Sequence, residues 1–220
     1  MTNVAQIPGT ADAFGILRQF ARKQRPVERC ELCGTGLGTQ HPHLIELAQR
    51  KLTCACDPCA MLFSGQSNSK YRRVPRRVRL LDDFQMSDSQ WDGLLIPINM
   101  AFFFQSSLDN RVIALYPSPA GATESLLALE TWTSIVAENP ELVDMEPDVE
   151  ALLVNRISQN RGVARADYLI LPIDECYKLV GLIRTHWKGL SGGTEVWHEI
   201  ANFFANLRSL AERPAVRQNA

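Results

Sequence analysis

Cysteine carries the clearest chemical signal in this sequence, because five of the six cysteines fall between positions 30 and 59. In an intracellular protein, thiols at this density are more often a metal site than a disulfide framework. Two CxxC pairs, Cys30 with Cys33 and Cys56 with Cys59, have residues 34–55 between them. Four thiolates so arranged can surround one ion tetrahedrally, as in zinc ribbons and knuckles. We therefore predict a metal site at these four cysteines, with zinc as the cofactor.

The fifth clustered cysteine and two histidines leave the ligand set open. In a strand, Cys54 and Cys56 face the same side, so either could reach the ion, and pairing with Cys59 favours Cys56. His41 and His43 could also be ligands, although histidines beside a turn are more often solvated. Four filled thiolate positions leave none open for water or substrate, so zinc there would be structural.

Iron at the same four cysteines is the alternative, and it would make a rubredoxin-like electron carrier. The first CxxC pair and the following Gly34 resemble half of such a site, since glycine relieves the strain of the turn. The second pair departs from it. Proline follows Asp57 and does not directly follow Cys56, and Ala60 stands where glycine is expected.

A basic run follows the cysteines and consists of Lys70, Arg72, Arg73, Arg76, Arg77 and Arg79. Such a cluster could bind phosphates, which keeps a zinc-ribbon nucleic-acid-binding protein as a further alternative. Solvated strand edges carry similar runs, Tyr71 is the single interleaved aromatic, and the net charge is -1. We therefore do not expect nucleic acid as the partner.

No catalytic site is predicted elsewhere. The segment 117–125 has the prolines and glycine of a shaped loop, but it lacks the GxSxG elbow and the Walker phosphate pattern. Four titratable residues near the C-terminus could supply acid–base or metal chemistry, but their spacing matches no metal motif. These residues are Asp174, Glu175, His186 and His198. Asp174 is predicted to cap the helix that starts beside it. We expect a protein that is not an enzyme.

The elements that would position these residues indicate an α+β fold. The predicted units are an N-terminal helix (1–27), a cysteine-rich metal-binding head (28–63), a basic linker (64–86) and an α+β domain (87–220). The head is expected to be zinc-ribbon-like, with a hairpin of strands 43–47 and 51–54. Strands in the domain are predicted at 95–104, 111–116, 149–154 and 168–171. Ser87 and Gln90 have capping-box spacing, and helices are predicted at 130–138, 174–188 and 194–211, the last two at the C-terminus.

Composition sets the broad class. The chain has 220 residues, of which 45% are hydrophobic and 21% charged, as in globular proteins. No secretory signal and no apolar run of the ~20 residues that span a bilayer is visible. The expected location is the cytoplasm.

The sequence resembles an uncharacterised bacterial family whose genes tend to lie near those of uptake nickel–iron hydrogenases. The resemblance covers most of the chain, from about residue 28 to 210. It rests on the combination and order of several motifs. Those motifs are 28–33, 54–59, 116–125, 149–156, 171–184 and 187–197. The resemblance implies a non-enzymatic accessory protein for hydrogenase assembly or maturation. Its partner would be a hydrogenase subunit or maturation protein, docked through the metal head, the 118–125 loop or the aromatic C-terminal helices.

Overall fold

The computed structural model describes residues 28–66, 69–126, 129–157 and 166–211. Within these ranges the chain has two sheets and five α-helices, and the last two helices close the described chain. The predicted α+β class, with a small cysteine-rich head before a mixed domain, is confirmed. The predicted N-terminal helix at 1–27 lies outside the described residues.

The head is built on a three-stranded sheet. Strand β1 (His43–Glu46) pairs antiparallel with β2 (Lys51–Cys54), which is the predicted hairpin, and on its other side with β3 (Tyr71–Arg73). Because successive side chains of a strand point to opposite faces, β1 contributes side chains to the core of the head and to the core of the main domain. Leu44 packs in the head beside the cysteines, and Ile45 packs in the core of the main domain.

The segment assigned to the basic linker connects the two sheets and contributes a strand to each. It contains β3 of the head and β4 (Arg79–Leu80), which pairs antiparallel with a strand of the main sheet. Five of its six basic side chains form ion pairs: Lys70 with Glu46, Arg72 with Asp148, Arg73 with Asp57, and both Arg77 and Arg79 with Glu150. These contacts favour a structural role for the run over phosphate binding.

The main sheet contains β4 and five further strands, which are β5 (Met100–Ser106), β6 (Arg111–Ser118), β7 (Gly121–Ser125), β8 (Glu150–Asn155) and β9 (Asp167–Pro172). Their order across the sheet is β4-β9-β8-β5-β6-β7, and all neighbours are antiparallel. The four predicted strands are present, although β5 begins five residues later than expected. The segment 117–125 contains the end of β6, a tight turn at residues 119–120 and the whole of β7, so the prediction of a loop there was wrong.

Helices cover both faces of this sheet. Helices α4 (Ile173–His186) and α5 (Gly193–Ala211) pack on the face that contains Phe102. The opposite face, with Phe103, is covered by α2 (Asp88–Gly93) and α3 (Leu129–Glu138). The capping box predicted at the start of α2 is confirmed. None of the helices in the described ranges is long and apolar enough to cross a membrane.

Candidate metal centre

The first cysteine pair lies in a tight turn closed by the backbone. The amide of Gly34 donates to the carbonyl of Cys30 at 2.8 Å, and the amide of Cys30 donates to the carbonyl of Thr35 at 2.8 Å. Gly34 has φ of 79°, a left-handed conformation that glycine adopts without the steric cost of a Cβ atom. The turn therefore directs Cys30 and Cys33 to one side.

The second pair lies at the start of a helix, α1 (Asp57–Ser64), and not in a second turn like the first. Cys56 is the N-cap residue, and Cys59 lies in the first helical turn. Sequence reasoning missed this helix, although an acidic residue followed by Pro58 is typical of a helix start. The helix N-terminus also favours negatively charged sulfur nearby.

These two local structures bring the four predicted ligands together. The Sγ atoms of Cys30, Cys33, Cys56 and Cys59 all lie within 4.8 Å of one another, and none is in a disulfide. Cys33 Sγ and Cys56 Sγ are 3.7 Å apart. A tetrahedral four-thiolate zinc with bonds of ~2.3 Å requires sulfur atoms about 3.8 Å apart. The four cysteines are thus positioned to hold a metal ion.

The electrostatics of the cluster fit a bound cation. Burial opposes ionisation of Cys30, but backbone amides, foremost that of Cys56, outweigh it and lower the Cys30 pKa to about 6. The Thr35 hydroxyl lowers the pKa of Cys33. The neighbouring Cys56 thiol, followed by burial, raises the pKa of Cys59 to about 12. Because an ordinary thiol is mostly protonated at neutral pH and like charges repel, four adjacent thiolates need a cation that neutralises them.

Cys54 belongs to a second group. It lies opposite His43 in the β1–β2 pairing, and its Sγ lies within 4.8 Å of ligand atoms of His41 and His43. The geometry therefore groups Cys56 with the other three predicted ligands and separates Cys54 from them. That these four cysteines bind the ion stays a prediction.

The four other titratable residues are not gathered into one site. The helix that contains Asp174 has Pro172 at its N-cap with no side-chain capping bond, so the predicted capping role was wrong. The Asp174 carboxylate instead accepts a hydrogen bond from His43. His186 Nδ1 lies 2.9 Å from Glu195, and His198 is exposed on the surface of α5.

An apolar cavity of about 400 Å³ lies where the end of β6 meets the C-terminal helices. Its walls include Ile98, Tyr116 and Pro117 on one side and Trp187, Trp197 and Ile200 on the other. Two of the expected docking surfaces, the 118–125 segment through Ser118 and the aromatic C-terminal helices, thus border the same cavity.

The model of one protein family matches residues 29–211, and its description is a family of unknown function (DUF5947). Searches of curated proteins and of solved structures returned no match.

Proposed function

The chain belongs to the family of unknown function DUF5947, and we propose that it is a cytoplasmic, non-enzymatic accessory protein for assembly or maturation of a nickel–iron hydrogenase. The metal-binding part of this proposal is supported by the four cysteine sulfur atoms, which lie within 4.8 Å of one another. We propose that Cys30, Cys33, Cys56 and Cys59 hold one zinc ion there.

A structural role for this zinc follows from the donor set. Four thiolates complete a tetrahedral shell and leave no position for water or substrate. Cys30 is buried beside Leu44, which lies on β1, and the next residue along β1 packs in the main core. Zinc would therefore stabilise the strand on which the head meets the domain.

The apolar cavity supports a docking role for the main domain. Ile98 at its rim is 40% exposed, and two tryptophans form part of its wall. Aromatic residues in partly open apolar pockets are typical anchors for a protein partner. The proposed occupant is an apolar segment of a hydrogenase subunit or maturation protein, and the hydrogenase setting rests on the family resemblance.

Elemental analysis with a visible absorption spectrum tests the metal. One zinc per chain and no colour are expected, with loss of the zinc in a Cys33→Ser variant. If the protein instead contains iron and shows visible charge-transfer bands, the site would act in electron transfer and not as a structural site. A metal-free protein, or a Cys33→Ser variant that keeps its full zinc at the four-cysteine site, would contradict the assignment.

Affinity purification from a hydrogenase-expressing host tests the partner. Hydrogenase subunits or maturation proteins, identified by mass spectrometry, should co-purify with the tagged wild-type chain and not with the tag alone. A chain that purifies without any of them while hydrogenase is being assembled would contradict the accessory role.

A further inference from the structure

A second group of potential metal ligands lies in the head, made by His41, His43 and Cys54. We propose that these three residues bind a second transition-metal ion through the two Nε2 atoms and the Cys54 sulfur, with one coordination position left open. This site is separate from the four-cysteine site and does not depend on the function proposed above.

The strand pairing explains why these side chains meet. His43 and Cys54 are directly opposite partners in the β1–β2 ladder, so their side chains lie on the same face. His41 precedes His43 by two positions, and the two rings have centroids 4.9 Å apart and planes at 87°. The ligand atoms of the three residues lie within 4.8 Å of one another. An ion with ordinary metal–ligand bonds would draw them to about 3.5 Å.

The hydrogen bonds of His41 leave one nitrogen available. Its Nδ1 lies 2.9 Å from the carbonyl oxygen of Gly38, and a carbonyl only accepts, so Nδ1 carries the proton. The side chain is 8% exposed, and its Nε2 is buried without a hydrogen-bond partner among the described residues. Buried polar atoms are rarely left unsatisfied. A metal ion would give this atom its partner.

His43 is held in the same way by a different acceptor. Its Nδ1 lies 2.6 Å from Oδ2 of Asp174, which leaves Nε2 as the ligand atom. Histidines bound to metals usually donate the other ring N–H to a carboxylate or a backbone carbonyl. Both imidazoles of this group show that arrangement, one with each kind of acceptor. Asp174 is thus a positioning residue for the site.

The donor set indicates which ions would bind. Two imidazoles and one thiolate suit borderline late first-row cations such as Zn²⁺, Co²⁺ and Ni²⁺, and do not suit Mg²⁺ or Ca²⁺. Three protein ligands leave a fourth position for water or an added ligand, unlike the closed four-cysteine site.

The three residues line an open cleft of about 470 Å³ between the head and helices α4 and α5. Its walls also include Arg76, Lys178 and Glu175, so both charges face the cleft. An ion and a small polar ligand can therefore reach the open position.

Titration with Co²⁺ tests the site in full-length protein that has first been loaded with one equivalent of zinc and dialysed. The wild-type chain should bind one Co²⁺ and develop both a thiolate-to-cobalt charge-transfer band and visible d–d bands. Cys54→Ser should lose the charge-transfer band, and His43→Gln should bind Co²⁺ at least about tenfold more weakly. His198→Gln, a matched change at a histidine outside the group, should behave as wild type.

Zinc content measured on the same samples separates the two metal assignments. One zinc retained in Cys54→Ser, together with the lost cobalt band, supports two independent sites. A cobalt band unchanged in both variants, or zinc-loaded wild-type protein that binds no Co²⁺, overturns the second site. Loss of zinc from Cys33→Ser concerns the four-cysteine site alone. His43→Gln keeps the Cys54 thiol, and Cys54→Ser keeps both imidazoles. If one of these variants misfolds, the other still tests the site.

Discussion

Nδ1 of His43 lies 2.6 Å from Oδ2 of Asp174, and this contact joins residues 131 positions apart. His43 begins strand β1 of the head, and Asp174 lies in the first turn of helix α4 in the main domain. The orientation of an imidazole in the head is therefore set by a carboxylate of the domain. Any ligand of His43 Nε2 would bind at a site that the two parts of the chain build together.

The first prediction concerns this carboxylate. Asp174→Ala removes the acceptor for His43 Nδ1–H, and we expect Co²⁺ affinity at the second site to fall roughly 10- to 100-fold. Asp174→Asn keeps an acceptor oxygen without the charge, so its loss should be smaller. Asp92→Ala, the same kind of change at an exposed position of helix α2 outside the cleft, is the control and should bind Co²⁺ as wild type. Equal affinities in all four proteins, measured by cobalt titration, would contradict a positioning role.

The second prediction concerns a buried carboxylate of the main sheet. Glu150 is fully buried at the start of β8, its Oε1 lies 2.7 Å from Nε of Arg77, and it accepts from the Glu146 amide. Burial raises its pKa, but Arg77 and the Glu146 amide outweigh burial, so the pKa lies below its ordinary value. We expect Glu150→Gln to lower the free energy of unfolding at pH 7 by about 2 kcal/mol, measured by urea denaturation.

The pH dependence of that difference has a definite sign. A carboxyl group whose pKa is lower in the folded state stabilises the protein above its unfolded pKa of about 4.3, and the stabilisation is lost as pH falls through the folded value. The difference in unfolding free energy between wild type and Glu150→Gln should therefore have its full size at pH 6 and shrink as the pH falls below the unfolded value of about 4.3. Glu130→Gln, at an exposed position, should follow the wild-type profile. A difference in unfolding free energy that stays constant down to pH 3 would contradict the ion pair between Glu150 and Arg77.

The third prediction compares two glycines at which an added Cβ atom would meet no neighbouring atom. Gly34 has φ of 79° in the metal-binding turn, and Gly181 lies at an exposed position inside helix α4. Gly34→Ala should cost about 1 kcal/mol of unfolding free energy because an L-residue is strained there. Gly181→Ala should stabilise by up to about 1 kcal/mol because alanine favours helix. Thermal denaturation of both variants checks the opposite signs, and a Gly34→Ala variant as stable as wild type would contradict the strain argument.

Local patterns predicted the parts of the fold that depend on neighbouring residues. The CxxC spacing identified the four clustered cysteines, the capping box placed α2, and two short strand-like segments located the head hairpin. Helix α1 was missed because cysteine spacing was given more weight than Pro58, which lies in the first turn of the helix. Strand β7 was missed because Pro117 and Pro119 indicate a loop, whereas Pro117 lies in β6 and Pro119 lies in the turn that leads to β7.

Contacts between distant segments could not be predicted in the same way. Nothing in the sequence near Asp174 indicates His43, and the usual local role of an acidic residue at a helix start is capping. The same holds for Glu150 and Arg77, which lie on strand β8 and beside β4 and meet only once the sheet has formed. The second group of metal ligands depends on strand register and on this tertiary contact. The presence of histidines and a cysteine in the sequence therefore did not identify it.

The last prediction concerns the apolar cavity as the proposed docking surface for a hydrogenase subunit or maturation protein. Ile98 lies at its rim and is 40% exposed, whereas Leu190 is fully exposed and is not part of the cavity wall. Ile98→Glu places a charge where an apolar segment would bind, so we expect it to reduce co-purification of the hydrogenase partner at least tenfold, since burying an unpaired carboxylate is unfavourable. Leu190→Glu makes the same chemical change outside the cavity and should leave co-purification unchanged. Both proteins should show wild-type melting temperatures, because both positions are exposed. If the two variants lose the partner equally, added negative charge and not the cavity would explain the loss, and if neither loses it, docking uses another surface.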